Sequence, residues 1–233
     1  MATEAIIHFG RERKLLFSGP YLEIGSKIQP GYINFSPKEI HDHIDDTDWI
    51  GIDIEAGLNV DKIVDLSILG IVEELGWKGK FGTIHCHCIM EHVPHIFNMA
   101  TNIQNCLKEG GNLFLSVPFA WRIHRIPVDM WRFTPQSIDF LFPLLNFKTE
   151  NCAFSTRHPR KLYSISKIPE LPLGTGLRKL GYCFSFLIRL LRKAGLDHGY
   201  FNQRALLLES NLMMIGVKKN HPTYNFFPSP ISL

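Results

Sequence analysis

Two short apolar runs, one strand–helix–strand unit apart, constrain this chain more than any other feature. Tyr21-Leu22-Glu23-Ile24 runs into Gly25-Ser26, and Trp49-Ile50-Gly51-Ile52 runs into Asp53-Ile54. Roughly thirty residues separate them, the length of one parallel crossover. A ligand lying across the ends of two parallel strands needs a turn that lets backbone approach, and a carboxylate at the next strand tip for a ribose diol. Gly25 supplies the first and Asp53 the second, which points to a nucleoside-containing cofactor.

The rest of the chain extends the alternation. Residues 1–19 are a basic lead-in with helical character, and residues 20–24 and 49–54 are the first two strands. Between them Pro30, Gly31, Pro37 and the acidic Asp45, Asp46 and Asp48 predict mostly loop, with a short helix over 37–44. An extended piece over 63–66 precedes a helix over 68–77, where Ile68, Ile71, Val72 and Leu75 recur at helical spacing. A strand over 81–88 leads through Glu91-His92-Val93-Pro94 to a helix over 95–108, which Gly110-Gly111 ends. Residues 112–117 form a strand bounded by Pro118. Thr134-Pro135 is an N-cap followed by proline at the first helical position, opening a helix to about Leu145. Residues 147–154 and 211–217 are extended. The alternation predicts a mainly parallel α/β sheet covered on both faces, with ligands beyond the carboxyl ends of the strands.

One domain of 1–233 is expected, with 156–205 inserted as a helical lid or cap before the last strand. The insertion carries a helix over 175–194, apolar at Leu177, Leu180, Phe184, Leu187 and Leu191 and flanked by Arg178, Lys179, Arg189, Arg192 and Lys193. That helix has three readings: a cover on the sheet, a contact with an anionic membrane surface, or a homodimer interface. A net charge of +3 makes no case for nucleic acid. No basic-then-apolar leader opens the chain and no apolar run is long enough to span a bilayer, so a cytoplasmic location is the expectation. The five cysteines are odd in number and irregularly spaced, which is no disulfide framework. His85-Cys86-His87-Cys88 invites a metal reading, but alternate strand residues point to opposite faces, and no metal is expected there.

In order along the chain stand Glu23-Ile24-Gly25-Ser26, Gly51-Ile52-Asp53, Asp65-Leu66, Glu91-His92-Val93-Pro94 and Leu107-Lys108-Glu109-Gly110-Gly111. This ordered set resembles the landmarks of class I S-adenosylmethionine-dependent methyltransferases over residues 20–155 and the final strand. The resemblance implies a doubly wound, mostly parallel seven-stranded sheet, the Rossmann-like methyltransferase fold, with its last strand antiparallel. It implies that Glu23 and Gly25 flank the methionine part of S-adenosylmethionine and that Asp53 binds the ribose hydroxyls, with Ser26 and Ile54 also in the cofactor site. Asp65 and Leu66 would border the adenine, and His87 and Cys88 would line the cleft. The chain departs from the family at one point. Ser26-Lys27-Ile28-Gln29-Pro30-Gly31 replaces a loop usually richer in glycine, which leaves Lys27 or a backbone amide to meet the methionine carboxylate.

A second informative stretch, from Pro118 to Pro135, follows the strand 112–117 and so lies at the ligand-binding edge. Trp121 and Trp131 can wall an acceptor, and Arg122 and Arg132 can grip an anionic one. His124 is the candidate general base, with Asp129 to orient it and His92 as a second candidate. A similar Pro-Phe-x-x-Arg-x-His…Asp-x-Trp-Arg-Phe-Thr-Pro run occurs in methyltransferase-like proteins, some linked to saccharide biosynthesis. The plain alternative is an Asp129–Arg132 ion pair with both tryptophans packing the loop down. The expected function is methyl transfer to a small-molecule or saccharide-type acceptor, oxygen favoured over nitrogen. A methyltransferase-like scaffold without catalysis is the alternative, motivated by the shortened glycine loop. A dehydrogenase is disfavoured because the spaced three-glycine fingerprint is missing.

Overall fold

The computed structural model describes residues 3–28, 36–41, 48–124, 128–156, 162–165 and 209–222. Nine strands lie among them: β1 (Tyr21–Ile24), β2 (Trp49–Asp53), β3 (Lys62–Ile63), β4 (Phe81–His87), β5 (Leu107–Ala120), β6 (Leu145–Asn146), β7 (Cys152–Ser155), β8 (Leu162–Ser164) and β9 (Ser210–Lys218). The helices are α1 (Thr3–Arg11), α2 (Ile71–Glu74), α3 (Ile96–Cys106) and α4 (Pro135–Leu141).

The strands form one sheet in the order β3-β2-β1-β4-β5-β9-β7-β8, with β6 also paired to β9. Strands β1 to β5 run parallel, and β9 is inserted antiparallel between β5 and β7. The expected seven-stranded pattern is therefore the run β3-β2-β1-β4-β5-β9-β7, to which β6 and β8 add short antiparallel pieces. Strand order reverses at β1–β4, so the carboxyl ends of β1, β2, β4 and β5 surround the place where ligands bind in such sheets.

Side-chain alternation divides the core between the two faces. On one, Leu22, Ile52, Ile84, Cys86, Leu113, Leu115, Leu212 and Met214 meet Val72, Ile96, Met99 and Ile103 from α2 and α3 and Ile138 from α4. On the other, Phe114, Met213 and Ile215 meet Ile6 and Phe9 of α1. Each fully buried Leu, Ile or Phe contributes about 1.5–3 kcal/mol. An aromatic cluster continues that second face: Trp49 stacks on Tyr21 and on His85, and Phe17 stacks on Phe114.

Several predicted boundaries shift for local reasons. The helix expected over 68–77 shrinks to α2, bounded by Gly70 and Gly76 in left-handed conformation. α3 ends at Cys106, ahead of Gly110-Gly111, because Leu107 turns extended and pairs beside Phe81 at the core edge. α4 stops at Leu141, and Phe142 leaves the helix with its ring fully buried. The piece expected over 63–66 is a strand only at Lys62–Ile63. The segment 147–154 contains a 3-10 turn at Thr149–Asn151 before β7. Within the insertion 156–205, residues 162–165 are described and supply β8, whereas the helix read over 175–194 lies outside the described residues.

Candidate active site

The glycine turn after β1 is closed onto β2 by backbone. Gly25 N–H and Ser26 N–H both donate to the Ile52 carbonyl, at 2.8 and 3.0 Å. Gly25 sits at φ +76, a conformation that suits glycine. Lys27 N–H donates to Asp53 Oδ2 at 3.3 Å, and Glu55 N–H donates to Asp53 Oδ1 at 3.1 Å. The half-exposed Asp53 carboxylate thus stands at the tip of β2 with one donor on each oxygen and lone pairs to spare. Ser26 is buried, and its hydroxyl has no hydrogen-bond partner. Gly51 makes room for it, since a Cβ at Gly51 would lie 2.8 Å from Ser26 Oγ and 2.6 Å from the Asn59 carbonyl.

The neighbouring residues divide into engaged and open ones. Glu23 is buried and accepts from Trp49 Nε1 at 3.1 Å and Asn59 Nδ2 at 3.5 Å, and burial pushes its carboxyl up to about 7. The Lys27 ammonium is committed to Glu55 at 2.5 Å, and its amide to Asp53, so neither is spare for a carboxylate. Ile54 is exposed beside Asp53. Asp65 folds back to accept from Ser67 N–H at 2.8 Å, and Leu66 is buried in the main core.

The end of β4 carries two of the predicted residues. His87 Nδ1 lies 3.1 Å from Ser116 Oγ, and desolvation drops its pKa to about 3. Cys88 takes φ +54, rare for a residue with a Cβ, and burial pushes its thiol up to about 12. His85 and His87 share one face of β4 while Cys86 lies in the core of the other. Sequence reasoning passed over the line that His85 completes. His41 Nε2 is 3.2 Å from His85 Nε2, and His85 Nδ1 is 3.3 Å from His87 Nε2. No motif announces it, because His41 arrives from a distant loop.

The segment after β5 folds over the 3-10 turn Met90–His92 that follows β4. Met130 N–H donates to the Glu91 carbonyl at 2.9 Å, and Trp131 Nε1 donates to the Val93 carbonyl at 2.9 Å. Arg132 grips Asp129 with two nitrogens, at 2.5 and 2.8 Å, and also donates to the Trp121 carbonyl. Asp129 accepts from His124 N–H at 2.8 Å as well, and the Arg132 guanidinium holds its carboxyl well below the usual range. His124 Nδ1 lies 3.2 Å from Asp129 Oδ2. The structure therefore brings His124, Asp129 and Arg132 together, with Trp131 packed against the core and Arg122 exposed.

Beneath this loop sits Glu91, whose side chain is 1% exposed. Its Oε2 has no hydrogen-bond partner, and burial pushes the carboxyl up to about 8. His92 Nδ1 donates to the Val128 carbonyl, and its ring meets that of His124 edge-on at 5.0 Å. The sequence offers only a weak signal for Glu91, one landmark in the link between a strand and the next helix.

No protein-family model matches the chain, and no curated protein matches it in sequence. Among solved structures it is similar to a SAM dependent methyltransferase from Archaeoglobus fulgidus, at 15% identity and a TM-score of 0.50, over 93% of this chain and 94% of that one. It is also similar to the cyclase SpnF, at 14% identity and a TM-score of 0.50, over 92% and 81% of the two chains. The chain has the class I methyltransferase fold. One of these proteins is named for methyl transfer and the other for cyclisation, so the fold alone does not fix the reaction.

Proposed function

We propose that the protein is an S-adenosylmethionine-dependent methyltransferase acting on a small-molecule or saccharide-type acceptor, through oxygen in preference to nitrogen. The observation that carries the reading is the β1–β2 edge: the buried, unpartnered Ser26 hydroxyl over Gly51, and the Asp53 carboxylate at the strand tip. A buried hydroxyl without a partner is costly in a closed core and is relieved by a polar ligand. Asp53 would take the ribose hydroxyls and Ser26 a polar group of the methionine part. Gly25 keeps the turn tight, and the exposed Ile54 offers apolar surface beside the ribose. Asp65, with one oxygen on Ser67 N–H, keeps the other for an adenine amine, and buried Leu66 shapes the wall from behind. Cys88 and His87 border the cleft at the end of β4. The methionine carboxylate finds no spare amide at residues 25–27, so its partner lies elsewhere.

S-adenosylmethionine supplies a methyl group on a sulfonium that is already a good leaving group. What remains for the protein is alignment of the acceptor, which proximity and orientation provide. Trp121, Arg122 and the Trp131–Arg132 pair would frame the acceptor. His124, with the Asp129 carboxylate 3.2 Å from its Nδ1, would take the proton from a hydroxyl. The four described cysteines are free, in keeping with the proposed cytoplasmic location, and no described helix is long and apolar enough to cross a membrane.

The test is thermal unfolding with S-adenosylmethionine, S-adenosylhomocysteine and, as control, NAD. A ligand at about 100 times its dissociation constant adds roughly 2.7 kcal/mol. At about 2–4 °C per kcal/mol that is a shift of several degrees. The expected result is a shift with the two sulfur compounds alone, lost in Asp53→Ala while the variant's own unfolding stays cooperative. No shift at saturation would overturn the assignment and favour the scaffold reading.

A further inference from the structure

We infer that Glu91, His92 and His124 form a binding site for a divalent first-row metal ion, zinc by the chemistry of the three side chains. One ligand atom from each lies within 4.8 Å of the others. They come from two segments, the turn after β4 and the loop after β5, which the Met130–Glu91 backbone bond ties together.

Three features separate this group from a chance gathering of polar residues. Glu91 Oε2 is buried with nothing to bond to, and a buried carboxylate oxygen without a donor calls for a proton or a cation. His92 gives its Nδ1 proton to the Val128 carbonyl, which leaves Nε2 as the lone-pair nitrogen. Nε2 is also the atom that faces Glu91, 3.9 Å from Oε1. His124 Nδ1 is likewise buried with no hydrogen-bond partner; Asp129 Oδ2 lies 3.2 Å away without bonding it, and is itself locked by Arg132. The Val128 carbonyl behind His92 is the kind of outer support that orients an imidazole ligand.

The charges around the group permit a dication. Glu91 and Asp129 are the carboxylates, and Arg132 is the cation facing them, spent in its pair with Asp129. Two imidazoles and one carboxylate suit zinc and its neighbours, whereas magnesium and calcium favour all-oxygen shells. Exposure rises from 1% at Glu91 through 16% at His92 to 33% at His124, so a fourth ligand would enter from the His124 side. Three protein ligands and one accessible position are the arrangement of reactive zinc sites. The site stands on these side chains and does not rest on the cofactor assignment. A bound ion would take His124 out of use as a free base and would itself acidify a hydroxyl or water bound to it.

The experiment uses the full chain, freed of metal by chelation and studied without S-adenosylmethionine. Co2+ serves as the optical probe and Zn2+ as competitor and calorimetric ligand. The expected result is saturable binding of a single ion, with visible d–d bands of low-coordinate Co2+ that Zn2+ abolishes. Glu91→Gln and His124→Asn should each remove those bands. His95→Ala, an exposed neighbour, should leave the bands intact. Melting of each variant without metal separates lost ligation from lost folding, and Glu91→Gln keeps the side-chain shape. No d–d bands in the wild type, or the same Co2+ affinity in Glu91→Gln, would overturn the site and leave Glu91 as a neutral buried acid. Either of those outcomes leaves the methyl-transfer reading standing, since no cofactor is present in the measurement.

Discussion

Glu23 shows how burial changes a residue that looks simple in the sequence. Its carboxyl is removed from water by β2 and held by Trp49 and Asn59, and its pKa rises to about 7. In the unfolded chain a glutamate titrates near 4.3. A raised carboxyl binds its proton more tightly in the fold, so its stabilising effect is complete below the unfolded value and is lost as pH rises through about 7. Buried His85 and His87, with lowered pKa values, act in the opposite sense on the acid side. The quantity to measure is therefore the difference between wild type and Glu23→Gln in denaturant melts across pH. Glu23→Gln should gain stability relative to wild type between about pH 4.5 and 7, by a few kcal/mol at most. A difference that stays flat with pH would show that Glu23 keeps an ordinary pKa. The residues of the β1–β2 edge were legible as types and spacings. Their engagement was not, because which donors Glu23 and Lys27 meet depends on the strand beside them.

At the scale of elements, α4 is the best case of local sequence writing local structure. Thr134 caps it: its hydroxyl accepts from Ser137 N–H at 3.1 Å, Ser137 Oγ accepts from Thr134 N–H at 2.9 Å, and Pro135 follows at the first helical position. The helix is short, so the cap carries a large share of its order. It also fixes the exit of the loop that holds Asp129 to Arg132. Thr134→Ala should cost about 1 kcal/mol and lower the melting temperature by about 2–4 °C. An unchanged melting temperature would mean that packing of Ile138 and Phe142 alone holds α4. Helix ends elsewhere were less legible. α3 ends at Cys106 because Leu107 is drawn into the core beside Phe81, a pull that a glycine-based stop signal does not register.

For the whole molecule, the decisive strand is β9, last among the described elements and interior in the sheet, between β5 and β7. It pairs with β5 over Asn112–Ala120 and with β7 over Cys152–Ser155, and it supplies residues to both cores. A chain ended before Ser210 would leave β5 and β7 as open edges with half-filled cores. Such a truncation should abolish the cooperative thermal transition seen by circular dichroism. A retained transition would show that β1–β5 with their helices form a self-sufficient unit.

The sequence by itself determined the α/β alternation, the glycine turn and strand-tip carboxylate of the β1–β2 edge, and the start of α4. Each of these rests on periodicity or on contacts within a few residues, and such forces are written locally. Only the tertiary structure decided what the residues of the loop after β5 meet. The sheet order sets β4 beside β5, which carries Glu91 and His92 under the loop of His124 and Asp129. The same arrangement removes water from Glu91. Burial and convergence of distant segments are properties of the assembled sheet, and no spacing along the chain encodes them.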